Sequence, residues 1–288
     1  MRILILGSGS FAGQALFSTY LKRGLDVFGI NRSDPKDGYQ WPWVKSFGEI
    51  KRRWFKYDLS NSVDSIIEIV KEIDPQIIID FMGEGMVAPS WINPDIWYTT
   101  NLAKKSKLLN SFLNLKNLKR YIRASTPEVY GSNEDFLNEL SSFCPSTPYA
   151  VSHAGIDMHI RCLGKQYEFP FVIGRFANFY GVGQQLYRVI PKLFLSCKSK
   201  KTFTLDGGGK SARSFIFSED IINAFDCILE TNSVYEEFNF SSQEEISIDN
   251  LVTKVCDISN TKREEIIRNG PERPGKDKFY RLDISKAK

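Results

Sequence analysis

Two short segments carry the side chains best suited to moving protons. One is Ser125-Thr126-Pro127-Glu128-Val129-Tyr130-Gly131, the other Tyr149-Ala150-Val151-Ser152-His153. Together they offer a hydroxyl, a carboxylate, a phenol and an imidazole. Tyr149 and His153 are four residues apart, so a helix places them on one face. A phenol ionises near pH 10 and needs a fixed positive charge beside it to act as a base at neutral pH. An imidazole, with an ordinary pKa of about 6.5, is a weak source of that charge. A third segment, Gly7-Ser8-Gly9-Ser10-Phe11-Ala12-Gly13, works through its backbone. Glycine there allows a tight turn and close approach to a pyrophosphate, which the amides of the following helix would face.

These groups converge only if the chain delivers them to one edge of a sheet. Arg2–Leu6 is a short continuous apolar run, as expected of a strand buried on both faces. The pattern then alternates: a helix from Phe11 to about Arg23, a strand at Asp26–Ile30, a helix ending at Ile73, and a strand at Gln76–Met82. A helix at Leu102–Leu115, a strand at Arg120–Ala124, a helix at Pro148–Gly164 capped by Thr147, and a strand at Phe169–Gly174 follow. Such alternation predicts an α/β, Rossmann-type doubly wound parallel sheet. Residues 1–180 are expected to form the dinucleotide-binding domain and 181–288 a smaller C-terminal domain. The stretch from about 212 to 235 is expected to return to the main sheet through a strand at Ser214–Phe217, and Gly207-Gly208-Gly209 to form an exposed turn. The second strand ends in Asn31-Arg32. An acidic residue there would accept bonds from an adenosine ribose, whereas Arg32 can pair with a 2′-phosphate, so NADP is expected ahead of NAD.

Composition narrows the class of protein. The chain has 288 residues with 38 basic and 34 acidic side chains, a net charge of +4 that is too small and too scattered to indicate nucleic acid. Its five cysteines include no CxxC pair and are expected to be reduced thiols. The apolar start ends at Gly7, too soon for a signal peptide or membrane span. A soluble, cytoplasmic protein without membrane or nucleic-acid partners is the expectation.

The segments together resemble the extended short-chain dehydrogenase/reductases, in particular the nucleotide-sugar 4,6-dehydratases and epimerases. The resemblance covers essentially the whole chain. Asp58-Leu59 stands where that family contacts adenine, and Met82-Gly83-Glu84 at its cofactor-lining strand end. Arg175-Phe176-Ala177-Asn178-Phe179-Tyr180-Gly181 is similar to its sugar-contacting RxxNxYG segment, and Arg213 to its diphosphate-binding arginine. Arg273-Pro274-Gly275-Lys276-Asp277-Lys278-Phe279-Tyr280 resembles the RPGxDxxY stretch of dTDP-glucose 4,6-dehydratases. The resemblance implies a nicotinamide dinucleotide on Gly7, Gly9, Ser10, Phe11, Gly13, Asn31, Arg32, Asp58, Leu59, Met82 and Gly83. It places a nucleotide sugar on Glu84, Asn178, Arg213 and Arg273. Tyr149 and Thr126 would handle the sugar's 4-hydroxyl, Glu128 its C5 proton, and His153 would stand in the lysine position of YxxxK. A homodimer is implied, with Ala154, Met158 and Cys162 as one possible helix face.

Three departures from the family pattern matter. His153 replaces the lysine, and beside an oxidised nicotinamide it is expected to be neutral; restoring lysine there is expected to raise turnover or move its pH optimum. Pro127 replaces an aspartate that protonates the leaving hydroxyl in dTDP-glucose dehydratases. Relatives continue with a further helix beyond RPGxDxxY, so this chain either lacks that element or is a shortened form. The readings left open are a 4,6-dehydratase, which needs Glu128; a C4 epimerase or 4-dehydrogenase, which does not; and a catalytically impaired binding protein.

Overall fold

Uninterrupted apolar residues dictate the centre of the molecule. Ile3, Leu4, Ile5 and Leu6 of β1 (Arg2–Leu6) and Ile78 and Ile79 of β4 (Ile77–Asp80) are completely buried, because helices cover both faces of the sheet they form. The protein is described by a computed structural model covering residues 1–35, 51–231, 233–272 and 279–288. The remaining strands are β2 (Asp26–Asn31), β3 (Trp54–Lys56), β5 (Arg120–Ser125), β6 (Phe171–Phe176) and β7 (Glu236–Phe240). They lie in the order β7-β6-β5-β4-β1-β2-β3, every neighbouring pair parallel. The chain order reverses between β1 and β4, which opens a crevice at the carboxyl ends of those strands.

Two apolar layers sandwich the sheet. On one face α1 (Phe11–Lys22) and α6 (Ser218–Glu230) pack Leu16, Phe17, Ile221 and Phe225 against Ile3, Ile5 and Val172. On the other, α2 (Val63–Ile73), α3 (Lys105–Phe112) and α4 (Pro148–Tyr167) pack Ile66, Leu108 and Ile156 against Leu4, Ile78 and Ile173. A separate core joins α5 (Val189–Ser199) and α7 (Ile248–Ile258) through Leu193, Cys197, Val252 and Cys256.

The strand that returns to the main sheet is β7. Phe215–Phe217, expected to do so, instead pairs in parallel with Asn178–Tyr180 as a two-stranded ribbon. It runs directly into α6, and parallel pairing in the sheet becomes possible only after that crossover helix. The Gly207–Gly209 turn is also less exposed than its composition suggests. Gly209 is buried, with a left-handed φ of 68°, and a Cβ there would press on the Asp249 backbone. The helix expected from Leu102 begins further back, as a π-helical turn at Tyr98–Lys104 that continues into α3.

Candidate active site

The glycine segment forms the turn from β1 to α1. Gly7 has φ 74°, and a Cβ there would lie 2.8 Å from the Met82 amide. A Cβ on Gly13 would overlap the Gly7 carbonyl oxygen, so Gly13 allows helix and strand to close on each other. Ser10 caps α1: its Oγ accepts from the Gly13 amide at 3.1 Å. That bond satisfies the third amide of the helix and leaves the first turn, at Phe11 and Ala12, facing the crevice. Gly7, Gly9, Ser10 and Phe11 line a cavity of about 810 Å³; Gly13 stands behind it, as a packing residue. Backbone so close and a helix end so placed fit a dinucleotide pyrophosphate.

Asn31, Arg32, Asp58, Leu59, Met82, Gly83 and Glu84 line the same cavity. Asn31 turns its amide back onto Ser33, and Asp58 receives the amide and hydroxyl of Ser60, so both shape loops at the rim. Arg32 pairs with Glu84 at 3.6 Å, an exposed and weak contact. Asn101, which the sequence did not single out, clamps the Glu84 backbone. It accepts from the Glu84 amide at 2.7 Å and donates to the Glu84 carbonyl at 3.0 Å and to Ser152 at 3.1 Å.

The side chains suited to proton transfer meet where β5 and α4 converge. Thr126 and Glu128 follow β5 on one turn, with the Glu128 amide donating to Thr126 Oγ1 at 3.3 Å. Tyr149 lies in the first turn of α4, which is started by Thr147 accepting from the Ala150 amide at 3.1 Å and by Pro148. Thr126, Glu128, Tyr149 and His153 all border the cavity. Burial and the Glu128 carboxylate push the Tyr149 phenol well up from its usual value. A hydrogen bond with Thr126 and the charges of Arg188 and Arg123 pull it down.

His153 packs beside Tyr149, the ring centroids 4.4 Å apart. Its pKa is held well below 6.5, first by burial and then by Arg123 and Lys105. The expected neutral imidazole therefore has causes inside the protein. Arg123 Nη2 lies 3.0 Å from His153 Nδ1, and Arg123 Nε pairs with Asp157 at 2.9 Å. Lys105 is buried against Asp80, to which it donates at 2.8 and 2.6 Å, and donates also to the Met82 carbonyl. Burial brings that ammonium down to about 8. Neither cation was marked in the sequence as part of the site, because nothing local distinguishes a buried lysine or arginine from a solvated one.

Of the residues expected to hold a nucleotide sugar, Asn178 and Arg213 border the cavity, joined by Arg188 and Lys192 at the start of α5. Arg175, expected within a sugar-contacting segment, points inward instead. It is fully buried and bonds Tyr130 at 2.9 Å, Glu237 at 2.6 Å and Asp157 at 3.3 Å. Arg273 and residues 273–278 lie outside the described residues.

The comparisons with known proteins agree with this geometry. The UDP-glucuronic acid 4-epimerase of Bacillus cereus, solved with UDP-glucuronic acid and NAD, superposes with a TM-score of 0.87 at 25% identity, over all of this chain and 91% of that one. The dTDP-glucose 4,6-dehydratase DesIV of Streptomyces venezuelae, a double mutant with NAD bound, has a TM-score of 0.88 at 22% identity over all of this chain and 89% of its own. Among curated proteins, the trifunctional UDP-glucose 4,6-dehydratase/UDP-4-keto-6-deoxy-D-glucose 3,5-epimerase/UDP-4-keto-L-rhamnose-reductase RHM1 of Arabidopsis thaliana is 29% identical over 215 residues, 73% of this chain. The chain spans about a third of the length of that protein and its two Arabidopsis counterparts. The family model described as "NAD dependent epimerase/dehydratase family" matches residues 3–240, and with the glycine turn, the parallel sheet and the Thr126–Tyr149 cleft in place, the chain belongs to that family.

Proposed function

We propose that the protein is a nucleotide-sugar 4,6-dehydratase. The observation that carries this reading is Glu128, on the same turn as Thr126 and close enough to Tyr149 for its charge to raise the phenol. A C4 oxidation needs only the tyrosine and threonine; a carboxylate against them suits a second proton transfer. NAD or NADP, when bound, supplies the acceptor and later the donor of hydride.

In this scheme Tyr149, as phenolate, takes the proton of the sugar's 4-hydroxyl while Thr126 holds that hydroxyl in place. Oxidation at C4 acidifies the C5 proton, which Glu128 removes. The C5–C6 double bond forms as the C6–oxygen bond breaks, and Glu128 returns its proton to the departing hydroxyl, which leaves as water. A hydride returned to C6 and a proton taken up from solvent at C5 then give the 4-keto-6-deoxy sugar. Because Pro127 has no proton to give, Glu128 serves as base and then acid. Arg188, Lys192 and Arg213 bring three positive charges to the cavity and suit the diphosphate of the substrate. Arg32 supports NADP as the preferred dinucleotide. Five free thiols suit a reducing, cytoplasmic setting, and a homodimer is the proposed assembly.

A C4 epimerase is the second reading, favoured by Pro127. The two separate when purified protein is incubated with dTDP-, UDP-, CDP- and GDP-hexoses. Loss of water from one of them, abolished by Glu128→Gln, is expected. An isomer of unchanged mass, formed equally by Glu128→Gln, would establish the epimerase. Tight binding without any conversion would leave a binding protein.

A further inference from the structure

Behind His153 stands a buried arginine that takes no part in the scheme above. Arg123 lies on β5, three residues before Thr126, and is 2% exposed. A guanidinium carries only donors and keeps its charge at every working pH. With Nη2 at 3.0 Å, His153 Nδ1 must therefore be the acceptor, and the ring proton must sit on Nε2. The other neutral tautomer, or an imidazolium, would set two N–H groups against each other. Among the described residues, Nε2 is buried without a hydrogen-bond partner. His153 is thus a one-way donor whose single N–H is unused.

The surrounding charges single out Arg123. Lys105 directs donors to both Asp80 oxygens and the Met82 carbonyl, which occupies all three of its protons. Asp157 divides itself among Arg123, Arg175 and Ser125. In this connected set Lys105, Arg123, Arg161 and Arg175 face Asp80, Asp157 and Glu237, so one positive charge is left over. Of these cations only Arg123 borders the cavity.

We infer that Arg123 and His153 act as a pair in place of the lysine of the YxxxK pattern, Arg123 holding a buried positive charge that, with Arg188, favours the Tyr149 phenolate and His153 presenting its Nε2–H to a hydroxyl of the bound dinucleotide. Arg123 is a positioning residue, acting through His153 and through the field it sets at Tyr149. The inference rests on Tyr149 being the base. It also reverses the expected effect of His153→Lys, which would press an ammonium onto the guanidinium. The charged and titratable groups facing the pair are Tyr149 and Asp157 from α4, Asp80 from β4, Tyr121 from β5, Lys105 from α3, Glu128 from the turn after β5, and Arg188 ahead of α5.

The chain has only two histidines, so ¹⁵N-histidine NMR of the unaltered protein reads His153 directly, with His159→Gln making the assignment. The Nε2–H tautomer, still unprotonated well below the ordinary imidazole pKa of about 6.5, is expected. A proton on Nδ1, or titration near pH 6.5, overturns the pairing. In Arg123→Met the titration of His153 should move up toward that ordinary value, burial still holding it below. The alkaline shift of the kcat/KM profile should be about one pH unit, with KM nearly unchanged. His153→Ala should weaken NAD binding about tenfold by fluorescence titration. His153→Lys should lose activity, and Arg123→Met with His153→Lys together should recover most of it. Arg123→Met with an unmoved profile, or a double variant no better than either single one, refutes the inference. Full activity in Tyr149→Phe removes the base reading itself, while the tautomer result still reports on the pair.

Discussion

Protonation at His153 is governed by its surroundings, and the consequence extends to stability. Burial, Arg123 and Lys105 depress its folded pKa below the unfolded value of about 6.5. Below that value the unfolded chain binds the proton more readily than the folded one. The contribution of the neutral ring is therefore complete above about pH 6.5 and is lost as pH falls toward the folded pKa, by up to about 1.4 kcal/mol per pH unit. Urea unfolding between about pH 7.5 and pH 5.5 should show a fall in stability that is shallower in His153→Gln. Parallel slopes in the two proteins would contradict this. Arg32 gives a second test at this scale. Its loose contact with Glu84 leaves the guanidinium available, so Arg32→Ala should weaken NADP binding about tenfold and leave NAD binding nearly unchanged. Equal losses for both dinucleotides would place Arg32 outside the recognition of the 2′-phosphate.

At the level of elements, β4, β5, α3 and α4 are tied by buried charge as well as by apolar packing. Asp80 on β4 receives Lys105 from α3 and the Tyr121 hydroxyl from β5, and Asp157 on α4 receives Arg123 and Ser125 from β5. Such groups are costly to separate, because each leaves an uncompensated partner in the interior. Lys105→Met should destabilise the protein by about 3–5 kcal/mol in chemical denaturation, and adding Asp80→Asn should recover a large part. A single-variant loss of under about 1 kcal/mol would mean that water reaches Asp80. The glycine turn follows the same economy of contact. Gly7 and Gly13 are required by the approach of the segment after β4 and of the turn's own carbonyl, and Ser10 serves as a helix cap.

For the whole molecule, the outer side of α4 and the helices that pack on it remain apolar. Ile92 is 77% exposed and Met158 54%, with Trp91, Ile96 and Val151 also exposed. Ala154, expected on this face, is buried against Val129, Tyr130 and Leu282, so the candidate face consists of Met158 and Cys162 with the neighbouring helices. A second copy of the chain is the occupant the resemblance implies. Sedimentation should show a dimer that Met158→Glu with Ile92→Glu converts to monomer. A monomeric unaltered protein would remove the proposed assembly. Among the described residues no helix is long and apolar enough to cross a membrane.

Much of this architecture is written locally. The apolar runs of β1 and β4, the glycine turn, the Thr147-Pro148 start of α4 and the four-residue spacing of Tyr149 and His153 each depend on a few neighbouring residues. They are legible because turn chemistry and periodicity act over that range. β3 was not legible: three residues after a basic run carry no periodicity. What only the tertiary structure decided are the partners of charged groups far apart in the chain. Lys105 meets Asp80 across 25 positions, Arg123 meets His153 across 30, and Arg175 meets Glu237 across 62. Those pairings depend on strand order and on which face each side chain takes, and burial then converts an ordinary arginine into a fixed local charge. The sequence by itself determined the dinucleotide fold and the tyrosine. The packed sheet decided which cation stands behind that tyrosine.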